Sequence, residues 1–208
     1  MVDRDYYASA IPSRTELWLT LRGQFQGTTS LDVIGAGAAA PPSLLAAQSR
    51  KTHGGAGDFT LAIDTTKLLH DAVTVEPRSI GGGHLIVFQF DQMITIAGTA
   101  TTTSGAVTAT AVGQEVWVTL TGVADNTRAT ISLSGVNGNG AANVSLGFLV
   151  GDVNNTRSVN SSDISSVKAR SGHATTAANF LFDVSAGGAI YSSGISAVKA
   201  RSGLGLPP

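Results

Sequence analysis

The sequence predicts a mainly β protein in which a sandwich of short strands is followed by a small α-helical unit built from two loop–helix repeats. Three observations lead to this prediction. Short runs rich in Val, Ile, Thr and Phe alternate with turn residues between residues 51 and 150. Residues 151–208 contain a repeat with a constant offset of 31. Apolar residues make up 42% of the 208-residue chain, which is enough to form a buried core.

The N-terminal segment, residues 1–34, contains one strand-like run. Leu17, Leu19 and Leu21 occupy alternate positions, so they would lie on one face of a strand. No partner strand is evident nearby, so the run is either the end of an upstream domain or a strand that pairs with the sheet edge of a neighbouring copy. The three leucines are therefore candidate partner-binding residues. Residues 1–20 carry charges where a secretion signal needs an apolar core, so we do not expect them to be one.

Residues 35–50 are rich in Ala, Gly and Pro. The pair Pro41 and Pro42 favours an extended backbone and lacks amide donors for a sheet. We therefore predict a linker between the N-terminal segment and the sandwich.

Eight strand-like runs lie between residues 51 and 150, separated by turns rich in Gly, Asn and Asp. The runs are 59–63, 72–75, 85–90, 93–97, 106–112, 115–121, 129–133 and 143–150. Within 115–121 every second residue is apolar, which gives the strand one face for the core. The number and spacing of the runs predict an immunoglobulin-like β-sandwich, although the chain has no cysteine for the disulfide of antibody domains.

The C-terminal region, residues 151–208, contains a tandem repeat. Residues 151–172 and 182–203 share twelve identities in twenty-two aligned positions. Each copy opens with Asp-Val and ends in Lys-Ala-Arg-Ser-Gly, with a helix-compatible segment before the final glycine. Ile164 and Val167, and likewise Ile195 and Val198, form a narrow apolar stripe on each helix. We expect the two stripes to pack together.

The loop of the first copy has the spacing of a calcium site. A calcium loop places oxygen donors at alternating positions of a twelve-residue turn, because only a repeatedly turning chain can surround one ion. The first copy supplies donors at positions one, three, five, seven, nine and twelve, the seventh through its backbone carbonyl. They are Asp152, Asn154, Thr156, Ser158, Asn160 and Asp163.

In these residues the chain resembles the dockerin family over residues 150 to 206. The resemblance implies two EF-hand-like calcium loops with helices, which pair and bind a partner domain, and an Asp as the last calcium ligand. It also implies that loop positions ten and eleven contribute to partner recognition. Those positions are Ser161 and Ser162 in the first copy and Ser192 and Ser193 in the second.

Both loops depart from the dockerin pattern. Arg157 replaces the usual glycine at position six and Thr156 replaces an acidic ligand, so we expect a modest calcium affinity in the first loop. The second loop keeps Asp183 and Ser185 as a weak second site. Glycines occupy its positions five and twelve, so we expect it to be empty or weakly occupied.

The location is suggested by a further resemblance. The stretches SRKTHGGAGDF and GFLVGDVNNT are similar to the C-terminal ends of large secreted proteins from environmental bacteria. This resemblance implies an extracellular or cell-surface location in a bacterium.

Composition argues against several other classes of function. The net charge is -1 and the thirteen Lys and Arg form no run, so we expect no nucleic-acid binding. The apolar runs are far shorter than the ~20 residues of a membrane-spanning helix. The four histidines have no HExxH spacing, so we expect surface or structural roles for them. We do not expect an enzyme.

The interpretation that best fits these patterns is a non-catalytic extracellular protein that mediates assembly between proteins, as a subunit of a surface fibre or array. One alternative is the C-terminal anchoring module of a larger secreted enzyme or adhesin, bound by a cohesin-like partner. Another is a carbohydrate-binding module that presents aromatic side chains to a polysaccharide.

Overall fold

The computed structural model describes residues 40–79 and 83–208, in which the chain forms nine strands in two sheets and two α-helices. The mainly β class is confirmed. The predicted strand with Leu17, Leu19 and Leu21, and residues 35–39 of the predicted linker, lie outside the described residues.

The first sheet contains five antiparallel strands. They are β1 (Leu44–Thr52), β2 (Asp58–Ile63), β4 (His84–Phe90), β6 (Ala106–Val112) and β7 (Glu115–Thr121). Their order is β2-β1-β4-β7-β6, so β2 and β6 form the two edges. The predicted alternation in β7 is present: Val116, Val118 and Leu120 are fully buried.

The second sheet contains the other four strands. They are β3 (Thr74–Glu76), β5 (Thr99–Thr102), β8 (Thr127–Val136) and β9 (Gly140–Phe148), in the order β3-β9-β8-β5. The short edge strand β3 runs parallel to β9, whereas the other pairs are antiparallel. Side chains of both sheets share one apolar core, which includes Phe88 and Phe90 from the first sheet and Ile131 and Leu146 from the second.

The predicted linker at residues 35–50 is wrong from Leu44 onwards, because those residues belong to β1. This strand lies between β2 and β4 and pairs with both. Its alanines are typical of a linker, but Ala47 is 2% exposed and packs into the core. In a strand with a neighbour on each side, small side chains give the same composition as a flexible linker.

The predicted strand at residues 93–97 is also absent from the structure. The side chain of Asn137 binds this segment instead: its Oδ1 accepts hydrogen bonds from the amides of Thr95 (2.9 Å) and Ile96 (3.2 Å), and its Nδ2 donates to the Met93 carbonyl (2.8 Å). Backbone groups bound in this way are not available to a neighbouring strand. The strand that follows is β5, which the sequence analysis did not predict.

Two short helices lie in the C-terminal region, α1 (Ser161–Lys168) and α2 (Ser192–Lys199). They contact each other, and the predicted stripes Ile164 with Val167 and Ile195 with Val198 lie in a second apolar core. That core also contains residues that precede the repeat, among them Val75, Leu149 and Val150. The sequence divides the chain at residue 150, but Ala40–Pro208 forms one compact unit.

No helix among the described residues has the length and apolar character needed to cross a membrane.

Candidate functional site

The two repeats form a pseudo-symmetric pair, because each loop is bound to the end of the other copy. The Val159 amide donates to the Leu204 carbonyl (2.8 Å), and the Gly203 amide donates back to the Val159 carbonyl (2.8 Å). The same pair of bonds, displaced by 31 residues, joins Ile190 to His173 and Gly172 at 2.9 and 2.8 Å. The loops therefore lie side by side and brace one another.

The first loop holds its opening carboxylate in place with backbone amides. Asp152 is 1% exposed, and its two oxygens accept hydrogen bonds from the amides of Thr156 (2.9 Å) and Arg157 (2.7 Å). This arrangement requires left-handed backbone at Asn155 (φ 59°) and Arg157 (φ 64°). Arg157 occupies the position where calcium loops usually have glycine, so this residue adopts an unfavourable conformation that glycine adopts freely.

The donors predicted for positions one, three, five and seven converge in the structure. The Thr156 hydroxyl lies 3.4 Å from Asp152 Oδ1 and 3.1 Å from the Ser158 carbonyl oxygen. The Thr156 amide is 3.2 Å from Asn154 Oδ1. Hydrogen bonds to Thr156 therefore bring oxygen atoms of Asp152, Asn154 and Ser158 together in the first loop.

Asn160 and Asp163 have a second role at the start of α1. Asn160 Oδ1 accepts from the Ser162 amide (2.8 Å), and Asp163 Oδ2 accepts from the Asn160 amide (3.0 Å), which forms a capping box. The other Asp163 oxygen accepts from the Val153 amide (3.1 Å), so this carboxylate also joins the helix to the loop.

The two carboxylates of the first loop lie close enough to influence each other. Burial, and to a smaller extent the nearby carboxylate of Asp163, raises the pKa of Asp152. In residues 40–79 and 83–208, no Lys, Arg or His side chain forms an ion pair with either carboxylate. Hydrogen bonds from backbone amides and from the Thr156 hydroxyl stabilise these two buried carboxylates instead.

The described residues contain no group of three or more His, Cys, Asp or Glu side chains placed to hold a metal ion. The first loop has two carboxylates, and its other oxygens belong to an amide, hydroxyls and a backbone carbonyl. This mixed oxygen set is of the kind that calcium accepts.

The second loop holds Asp183 in the same way, but its carboxylate has an additional partner that the sequence analysis missed. His53 Nδ1 lies 2.9 Å from Asp183 Oδ2, and both side chains are 0% exposed. Burial alone would raise the pKa of Asp183, but hydrogen bonds from His53, Gly188, Thr175 and Gly187 lower it to about 2. Ser185, the other predicted ligand, donates to Asp183 Oδ1 at 3.2 Å.

His53 belongs to a buried polar network that links the sheets to the second loop. Arg78 Nη1 lies 3.3 Å from His53 Nε2, and Arg78 Nε donates to Glu76 Oε1 at 2.7 Å. The Ser49 hydroxyl donates to the same carboxylate. Burial opposes ionisation of Glu76, but Arg78 holds the pKa of this carboxyl below its ordinary value. No sequence pattern indicated this network, because its members come from separate strands and loops.

The predicted partner-binding serines are accessible. Ser161 and Ser162 on α1 and Ser192 and Ser193 on α2 are all exposed at the first turn of their helices. The predicted donor strand with Leu17, Leu19 and Leu21 lies outside the described residues.

The two sheets have edge strands on two sides, and the two sides are covered differently. Strands β2 and β3 form one side, called here the β2 and β3 end, and β5 and β6 form the other. At the β2 and β3 end, the ring of Phe59 stacks on Phe180 at 5.6 Å, and the Val75 amide donates to Asn155 Oδ1 at 2.7 Å. The C-terminal repeats thus cover this end. At the other end none of the residues of β5 or β6 is buried. The adjoining segment exposes 62% of Met93 and 56% of Ile96.

Comparison of the chain with protein-family models, curated proteins and solved structures gives no match.

Proposed function

We propose that this protein is a non-catalytic structural protein of the bacterial cell exterior. Its copies join when the strand-like run at residues 15–22 of one chain adds to the open edge of another chain's sheet. In this proposal the two sheets are an immunoglobulin-like sandwich and residues 151–208 are a dockerin-like unit. The observation that supports it most directly is the uncovered edge at β6.

Strand β6 has the features of a strand acceptor. As the last strand of its sheet it presents one row of unpaired backbone N–H and C=O groups. Val107, Ala109 and Ala111 on its inner face are only half-buried, although they pack against the core. A donor strand with apolar residues at every second position would bond to the backbone and cover this face.

The donor run matches this acceptor in pattern. Leu17, Leu19 and Leu21 alternate with the same period of two as the inner face of β6.

Calcium is part of the proposal as a structural ion in the first loop. Asp152, Asn154, Thr156, Asp163 and the Ser158 carbonyl would hold it, and Asn160 at position nine would act through a water molecule. Because only the folded loop presents these oxygens together, the ion would stabilise the folded chain and supply no chemistry.

The assembly proposal is tested first on the donor side. The wild-type chain should form multimers, seen by light scattering and electron microscopy. The triple substitution Leu17→Ser, Leu19→Ser and Leu21→Ser should give monomers, because the strand loses its apolar face. The matched control is Trp18→Ser with Thr20→Ala, which changes the opposite face and should still form multimers.

The acceptor side is tested with Ala109→Lys, which places a charge on the inner face of β6 and should also give monomers. Its control is Thr110→Lys, whose side chain points to solvent. Mixing the triple leucine variant with Ala109→Lys should give one-to-one dimers, since each supplies what the other lacks. A monomeric wild-type chain, or multimers unaffected by both variants, would overturn the proposal.

A second candidate is an anchoring module that binds a cohesin-like partner. The exposed serine pairs at the first turns of α1 and α2 favour it, since the same position is open in both copies. Under this alternative the purified chain stays monomeric, and Ser162→Asp with Ser193→Asp abolishes binding to a cohesin domain.

Carbohydrate binding has less support from the described residues. The ring of Trp117 has the guanidinium of Arg50 over it at 5.1 Å, which occupies one stacking face. Tyr191 is 54% exposed but lies at the start of α2, on the C-terminal unit. Retention on an insoluble polysaccharide that is lost with Tyr191→Ala would favour this alternative.

A further inference from the structure

The first carboxylates of the two loops have equivalent backbone environments. Asp152 accepts hydrogen bonds from the amides four and five residues later, and Asp183 accepts from Gly187 (3.1 Å) and Gly188 (2.9 Å) in the same way. Any difference in cation binding must therefore arise from the groups that face the remaining oxygen lone pairs.

The remaining acceptor sites are filled at Asp183 and partly open at Asp152. A carboxylate offers about four lone-pair directions. Asp183 receives five hydrogen bonds, because Ser185, Thr175 (2.8 Å) and His53 (2.9 Å) add to the two amides. Asp152 receives three, of which the Thr156 hydroxyl at 3.4 Å is the weakest. A cation at Asp183 would have to displace protein donors, but one at Asp152 would not.

His53 is positioned by Arg78 and by two phenylalanine rings. A guanidinium only donates hydrogen bonds, so Arg78 makes His53 Nε2 the acceptor, and the ring proton lies on Nδ1, directed at Asp183. The rings of Phe59 and Phe180 pack edge-on against the imidazole at 5.3 and 6.2 Å.

The backbone of the β1–β2 turn also fits closely against the second loop. Gly54 has φ 49°, and a Cβ there would lie 2.5 Å from the Gly187 carbonyl oxygen. Only glycine permits this approach, which brings His53 to the loop. At position twelve, a Cβ on Gly194 would make a close contact with Val184, at 3.3 Å.

We propose that His53 takes the place of a cation in the second loop. The imidazole donates its Nδ1–H to Asp183, and this donor comes from the β1–β2 turn of the protein rather than from solvent. The second repeat is thus closed without metal and fixed to the β2 and β3 end. Any calcium site of the repeats is confined to the first loop. This inference stands whether or not the chain assembles.

A double-mutant cycle tests the proposal in the full chain, with calcium and with a chelator. His53→Ala and Asp183→Asn should each raise the unfolding equilibrium constant about 100-fold or more, because each leaves a buried polar partner unpaired. The double variant should be little worse than either single variant. The same cycle with Asp152→Asn in place of Asp183→Asn should be additive, since Asp152 does not contact His53.

Two further variants keep the test decisive if His53→Ala does not fold. His53→Asn retains an N–H donor near the Nδ1 position, whereas His53→Leu retains volume without a donor. We expect the Asn variant to be the more stable of the two. Chelation of calcium should change its stability no more than it changes that of the wild-type chain. Additive effects of His53 and Asp183, or a Leu variant as stable as wild type, would overturn the proposal. Both outcomes are independent of the multimer assay.

Discussion

At His84, a histidine ring lies in the protein interior where Nδ1 has no hydrogen-bond partner in the described part of the chain. The side chain is 4% exposed, and its ring packs on Phe148 with centroids 4.6 Å apart. Burial lowers the pKa of His84 to about 4, even though the Glu76 carboxylate acts in the opposite direction. The ring is therefore neutral in the folded protein at neutral pH.

This residue predicts a pH dependence of stability. Below pH 6.5 the unfolded chain binds a proton at His84 that the folded chain does not bind until about pH 4. The free energy of unfolding should therefore fall as the pH drops through this window, by roughly 3 kcal/mol in total. Urea unfolding measured at several pH values should show this slope, and His84→Leu should lose most of it between pH 6.5 and 5, where the carboxyl groups contribute little.

The exposed His70 provides the control, since His70→Leu should keep the wild-type slope. A His84→Leu variant with the same slope between pH 6.5 and 4 would contradict the prediction.

Asp152 predicts the effect of calcium. A ligand that binds only the folded state, at about 100 times its Kd, stabilises a protein by about 2.7 kcal/mol. We expect calcium to raise the Tm of the wild-type chain and to have no effect on Asp152→Asn, which lacks one carboxylate of the first loop. Differential scanning fluorimetry with and without chelator measures both. Asp183→Asn should keep the calcium response, and its loss in that variant would contradict the assignment to the first loop.

The helices α1 and α2 show how one element can diverge between two copies. Helix α1 is preceded by Asn160, whose side chain caps it in a capping box with Asp163. Helix α2 is preceded by Tyr191, which makes no side-chain cap, and Gly194 stands at the position of Asp163. The second helix therefore depends more on packing of Ile195 and Val198 than on its own terminus.

The caps predict unequal effects of equivalent substitutions. Without calcium, Asn160→Ala should reduce the free energy of unfolding by about 1 kcal/mol, because amides at the start of α1 lose their acceptor. Tyr191→Ala should change it by only a few tenths of a kcal/mol, since no cap bond is lost. Chemical denaturation of the two variants gives the comparison. Equal losses would show that the capping box contributes nothing to stability.

Strands with regular alternation were predictable, but those shaped by distant contacts were not. The bounds of β6 and β7 match the prediction, because one apolar face against the core imposes a period of two on the sequence. The failures at β1 and at residues 93–97 have specific causes: a strand of small side chains, and a segment bound by Asn137 from 40 or more residues away. Local propensity carries neither signal.

In the whole molecule, the contacts of the first loop lie within one stretch of sequence, whereas those of the second loop do not. Oxygen donors at fixed spacing identified Asp152, Asn154, Thr156 and Ser158, and the structure brings them together. Glycines at positions five and twelve distinguish the second loop in the sequence, but the histidine partner of Asp183 lies 130 residues earlier in the chain. His53 and Asp183 come into contact because the C-terminal repeats pack against the β2 and β3 end.

The unequal covering of the two sheet ends gives the molecule a polarity. One end is closed by the chain's own C-terminal repeats, and the other ends at β6. In the proposed assembly a donor strand at β6 would join two different surfaces, so the contact would be heterologous. If neither reciprocal exchange nor a ring closes it, its repetition gives a filament with a distinct head and tail, which would be extended by one subunit at a time and capped by any chain that lacks a donor strand.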